Sequence, residues 1–141
     1  MKALVGITPN GVVSFVSELY SGSISDPDIV KRSGYLEKLE KGDVVMADKG
    51  FSIQDDLAEV GASLVMPNFL KGKRQFTVEE SKHNKTIASL RIHVERCMER
   101  LKNWHIFHRS MPVSLAKTAS DTWIVVACIS NFWPPLINYI K

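Results

Sequence analysis

The chain has 141 residues, enough for one domain of ordinary size and too few for two cores of any depth. Hydrophobic residues at 45% and charged residues at 23% are the proportions of a soluble globular protein, which excludes a disordered, collagenous or coiled-coil chain. The formal charge of +3 does not by itself announce a polyanionic partner, but it is unevenly spread: −4 over residues 1–70, +6 over 71–109 and +1 beyond. All four histidines lie in that basic central stretch. Cys97 and Cys128 are too few for a disulfide framework and neither sits in a Cys-x-x-Cys pair, so a reducing compartment is expected. The apolar run 3–7 is cut by Thr8-Pro9-Asn10-Gly11, too soon for a signal peptide. Residues 123–140 are interrupted by Ser130, Asn131 and Pro134-Pro135, short of the roughly 18 apolar residues of a membrane span, and read as a core element.

In chain order, residues 3–7 and 12–19 alternate as strands around the Pro9-Asn10-Gly11 turn, which predicts a β-hairpin. Asp26-Pro27 reads as an N-cap followed by proline at the first helical position, with Ile29, Val30, Ser33, Leu36 and Leu39 at helical spacing. Lys41-Gly42-Asp43 ends this helix, and the continuous apolar run 44–47 reads as a strand covered on both faces, with Asp48 at its end. Ser52 with Asp55 resembles a capping box for a short helix stopped by Gly61, and residues 63–67 read as another strand. Residues 68–76 are a basic loop. Thr77 with Glu80 is a capping box opening the longest helix, whose apolar positions Ile87, Leu90, Val94, Cys97, Leu101 and Trp104 step by three or four. After Pro112, residues 115–132 read as a last, mostly buried helix. A hairpin followed by alternating strands and helices predicts a mixed α/β chain, a sheet covered by helices.

Two acids stand out by position. Asp48 follows a strand at the end where open α/β sheets place ligands, although a turn or cap aspartate is the plainer reading. Glu95 lies one position off the apolar stripe of the long helix, where a solvated residue paired with Arg91 is the plainer reading. Lys71, Lys73 and Arg74 with Phe69 and Phe76 suit a loop that follows phosphates, against the plainer reading of a solvated charge run. His93 and Cys97 lie four apart, yet fit no closed zinc motif, and the helical phase turns Cys97 toward the core. Trp104, Trp123 and Trp133 read as core and interface residues.

The segments 2–11, Gly22-Ser-Ile-Ser-Asp26, Met46-Ala-Asp48-Lys-Gly-Phe51, Ser89-Leu-Arg-Ile-His-Val-Glu95-Arg96 and Arg100-Leu-Lys-Asn103, in this order, resemble the DDE superfamily endonuclease domain of Harbinger-type DNA transposases. The resemblance runs from residue 2 to about residue 133. It implies a ribonuclease-H-like mixed sheet flanked by helices, and a site in which two aspartates and a glutamate hold two divalent ions, Mg²⁺ or Mn²⁺, for DNA strand cleavage and strand transfer. Magnesium suits such a site because it takes oxygen ligands, one or two carboxylates plus substrate phosphates. By resemblance, Asp48 matches the second acid and Glu95 the third, both as metal ligands, and Asp26 falls in a family motif but reads mainly as a helix cap.

The family's first aspartate lies upstream of the motif that opens this chain. Residues 1–141 are therefore expected to be the C-terminal part of one such domain, lacking its first strand, with residues 110–141 as a helical extension packed on it. A missing ligand is expected to reduce metal affinity and turnover, and a missing strand to leave a sheet edge unpaired. The implied partners are DNA, a separate DNA-binding protein that reads sequence, and a second copy of the chain; no membrane is implied, and the implied location is the nucleus. Two alternatives remain open at this point: a non-catalytic DNA- or protein-binding protein derived from a transposase, and a remnant that folds poorly.

Overall fold

A computed structural model describes residues 1–48, 51–67, 75–107 and 112–136. The chain divides into two compact units, one made of residues 1–24 and 92–141, the other of residues 25–91.

In the first unit, β1 (Val5–Ile7) and β2 (Val13–Val16) pair antiparallel as the expected hairpin, with Val5 opposite Val16 and a register shift between Gly6 and Ile7. The turn closes through Thr8, whose amide donates to the Val12 carbonyl at 2.9 Å, while Gly11 supplies the positive φ of 86° that the return requires. The pairing extends beyond the strands: Lys2 and Tyr20 exchange backbone hydrogen bonds at 2.9 and 2.7 Å. Ser17 is buried and satisfied, its Oγ accepting from the Leu4 amide at 2.8 Å and donating to the Glu18 carbonyl.

The hairpin packs on α4 (Ala119–Ser130), which is preceded by a 3₁₀ segment at Val113–Thr118. Ala119, Trp123, Val126, Ala127 and Ser130 form the buried face of α4, at helical spacing. Leu101, Trp123 and Ala127 centre a core joined by Val5, Val13, Val16 and Leu19 of the hairpin. Polar side chains set how the helix meets the strands: Asn131 exchanges two 2.9 Å hydrogen bonds with the backbone of Val13, and Ser120 Oγ accepts from the Leu19 amide at 3.1 Å. The expectation of one mostly buried helix over 115–132 is corrected in two ways. Its first turns are 3₁₀, and Val125, Ile129 and Phe132 are exposed, the last at 88%. A helix that is apolar all round does not reveal in its sequence which side meets the core.

The longest helix, α3 (Val78–Lys102), opens on the predicted capping box. Glu80 accepts from the Thr77 amide at 2.9 Å and Thr77 Oγ1 accepts from the Glu80 amide at 3.2 Å. Its residues up to Arg91 belong to the second unit and the rest to the first. Just past its C-terminal end Trp104 stacks on Trp133 at 5.5 Å, and Trp104 Nε1 donates to Ser130 Oγ at 3.1 Å. Arg100 donates to the Pro134 carbonyl at 2.9 Å with its guanidinium 5.8 Å from the Trp133 ring.

In the second unit, α1 (Asp26–Arg32) is capped by Ser25, one residue earlier than expected; Ser25 Oγ accepts from the Asp28 amide and donates to the Asp28 carboxylate, so Asp26 is the first helical residue instead of the cap. The helix stops at Arg32, because Gly34 turns at a φ of 73°, and Leu36–Lys38 forms a separate 3₁₀ turn. β3 (Val44–Met46) and β4 (Ser63–Val65) pair parallel, joined through α2 (Gln54–Glu59), as the alternation of elements predicts. Two details differ. Ser52 does not cap α2, whose N-cap is Ile53, and Val44 is 65% exposed, so β3 is not covered on both faces. Among the described residues the strands form two two-stranded sheets, antiparallel and parallel, in place of the single mixed sheet expected. Ile29, Val30, Ile53, Leu57, Ala62 and Ile87 are buried apolar residues of this unit, and Lys31 pairs with Asp56 at 3.2 Å.

Candidate functional site

Asp48 owes its position to the parallel pair. The ladder runs Val44 to Ser63, Val45 to Leu64 and Met46 to Val65, and the Ala47 amide still donates to the Val65 carbonyl at 3.2 Å. There the pairing ends. Asp48 is therefore the first residue released past the carboxyl end of β3, and its carbonyl accepts from the Phe51 amide at 3.1 Å. Gly61 supports the return: its φ of 75° turns the chain from α2 into β4, and a Cβ there would meet Lys41 Cγ at 3.0 Å.

The carboxylate of Asp48 faces α3, and Arg91 Nη2 lies 3.1 Å from Asp48 Oδ2. Both side chains are about half exposed, 52% and 49%. A pair this open to water contributes on the order of 0–1 kcal/mol, so it orients the carboxylate without locking it. Helical spacing points Arg91 at Glu95; the tertiary fold brings Arg91 to Asp48. No local signal in the sequence identifies this partner, because the two residues lie on elements separated by α2 and β4.

Glu95 is an exposed residue on α3, in the part of the helix belonging to the first unit. Its exposure agrees with its phase: Cys97 and Leu101 are buried on the inward stripe, and Glu95 is off it. Asp26 sits at the start of α1 as described. Lys71, Lys73 and Arg74, the candidate DNA-binding residues, lie outside the described residues.

His93 and Cys97 lie four residues apart on α3. Cys97 is 2% exposed, and burial pushes its thiol above the ordinary value, the nearby Arg100 charge pulling the other way. Among the described residues no three His, Cys, Asp or Glu side chains gather as a metal cluster. Asp48 nevertheless has the donor chemistry of a magnesium ligand. It is a hard carboxylate oxygen, reachable from water, held by a weak ion pair that an arriving cation can exchange, and one or two such carboxylates suffice for Mg²⁺. Among the described residues no helix is long and apolar enough to cross a membrane.

No curated protein and no solved structure matches the chain. The sequence profile of one family, described as DDE superfamily endonuclease, matches residues 1–131, nearly the whole chain. Such endonucleases act on DNA and typically use a divalent metal. The chain belongs to the DDE superfamily endonuclease family.

Proposed function

We propose that this chain is a Harbinger-type, transposase-derived nuclease domain of ribonuclease-H-like design, acting on DNA in the nucleus, with Asp48 and Glu95 as its ligands for Mg²⁺ or Mn²⁺. One observation supports the choice of these residues above others: Asp48 is released past the end of β3 and paired with Arg91, and Arg91 stands one helical turn before Glu95 on α3.

A bound divalent ion supplies a polarised phosphate and an activated water or 3′-hydroxyl for in-line displacement. The chain's own residues have separate tasks in this reading. Asp48 and Glu95 present carboxylate oxygens. Arg91 holds Asp48 in place when no cation is bound and turns to a phosphate oxygen once its partner is engaged. Lys71, Lys73 and Arg74 neutralise backbone phosphates, which positions DNA without reading its sequence.

Calorimetric titration with Mn²⁺ tests the reading on the intact chain. Asp48→Asn and Glu95→Gln should each weaken binding by at least about tenfold, since even the partners of metal ligands carry effects of that size. Unchanged Mn²⁺ binding in both variants, alongside salt-dependent DNA binding that neither alters, would assign a non-catalytic DNA-binding role instead.

A further inference from the structure

We infer that the outward face of α4 is a self-association surface, at which two copies of the chain pair as antiparallel helices about a twofold axis beside Cys128. The inward face of α4, centred on Trp123, Val126 and Ala127, is spent on the core of the first unit. On the opposite side stand Val125, Cys128 and Ile129, all exposed. The Phe132 amide donates to the Ile129 carbonyl at 2.9 Å, and this turn carries the same stripe on to Phe132, with Trp133 at its edge. Positions 125, 128, 129 and 132 have the spacing of a helix face that packs on another helix.

Charge and area identify the occupant. Residues 122–136 hold no charged side chain, so the stripe offers nothing to phosphates and is complementary to itself, as a twofold interface requires. Phe132, 88% exposed, alone presents on the order of 150 Å². With Val125 at 53%, Trp133 at 43% and Ile129 at 40%, the patch reaches roughly 400 Å² per copy, as large as monomeric proteins ordinarily leave open. Two such faces bury about 800 Å², less than stable complexes do, which makes the dimer weak and reversible. The ends of the stripe set its direction. Asp121 stands at the N-terminal end, and at the other end Arg100 bonds the Pro134 carbonyl and lies over Trp133. A parallel pair sets Asp121 against its own copy; an antiparallel pair sets it toward Arg100 of the other copy and opposes the two helix dipoles favourably. In that register Val125 of one copy faces Phe132 of the other, and Cys128, midway between, comes next to the axis.

Sedimentation velocity of the full chain, without DNA or metal, should show a reversible monomer–dimer equilibrium with its midpoint on the order of 100 µM. Phe132→Asp should weaken self-association by at least about tenfold, as loss of an aromatic anchor does. Circular dichroism melting of that variant should match the parent, because the side chain is outside the core. A bismaleimide spanning about 8 Å, near the separation of packed helices, should join two copies through Cys128 at high protein concentration. Cys128→Ser should lose the crosslink and keep the dimer, since the second cysteine, Cys97, is buried. A chain that stays monomeric across the concentration range overturns the proposal. So does a dimer that Phe132→Asp leaves intact, or one in which Cys128 reacts with a monofunctional maleimide but does not crosslink. None of these readouts uses metal or DNA, so their outcome is separate from that of the Mn²⁺ titration.

Discussion

Arg91 reaches from α3 to within 3.1 Å of the Asp48 carboxylate at the end of β3, so the acid proposed above as a metal ligand already faces a positive charge. Both partners are half exposed, so the pair is weak, and under the proposed function a divalent ion would compete with the guanidinium for Asp48.

That competition has a sign. Arg91→Gln removes the protein's own cation, so Mn²⁺ binding should tighten, by up to about fivefold for a pair contributing on the order of 1 kcal/mol or less. Calorimetric titration of the variant checks this. Weaker binding in Arg91→Gln would mean that Arg91 positions the carboxylate for the metal and does not compete with it.

The basic stretch of the sequence makes a separate, electrostatic prediction. Replacing Lys71, Lys73 and Arg74 together with glutamine should lower affinity for any duplex and flatten the slope of log affinity against log salt by about 3, near one unit for each phosphate no longer neutralised. Fluorescence anisotropy at several salt concentrations measures it. An unchanged slope would return these residues to the plainer reading of a solvated charge run.

The two cysteines should differ in reactivity. Cys128 is exposed on α4, whereas burial holds the Cys97 thiol protonated above its ordinary value. A chromogenic thiol reagent at mildly alkaline pH should titrate one cysteine quickly, a reaction abolished by Cys128→Ser, and the second only on unfolding. Two equally fast thiols would place Cys97 within reach of solvent.

Tyr35 should shape the alkaline limb of stability. Burial first, and the negative charge of Asp43 second, push its phenol above the ordinary value of 10.0. The folded chain therefore keeps a proton that the unfolded chain releases. The sign follows: the contribution is complete below pH 10.0 and is lost as pH rises from there through the raised folded value. Chemical denaturation across that window should show stability falling with pH, and Tyr35→Phe should flatten the fall.

Much of the architecture is readable from local chemistry. The hairpin, the capping box at Thr77 and Glu80, the stop at Gly61 and the position of Asp48 after β3 all depend on residues within a few places of one another. The misreadings share a cause. Asp26 reads as the cap of α1 because Ser25 and Asp26 are both capable caps, and only the backbone at Ser25, with φ −76° and ψ 152°, distinguishes them. The helix expected to reach Leu39 ends early because apolar spacing continues past Gly34 although the backbone does not. Val44 reads as covered because an unbroken apolar run says nothing about what lies against it.

Taken alone, the order of residues settled the succession of strands and helices, the concentration of basic charge in the middle of the chain and the membership of its family, because each is written in short-range spacing or in linked motifs. The folded chain decided which cation stands against Asp48 and which side of α4 is buried. Those outcomes depend on segments distant along the chain, whose meeting is chosen by the packing of whole surfaces, and no window of neighbouring residues contains that information.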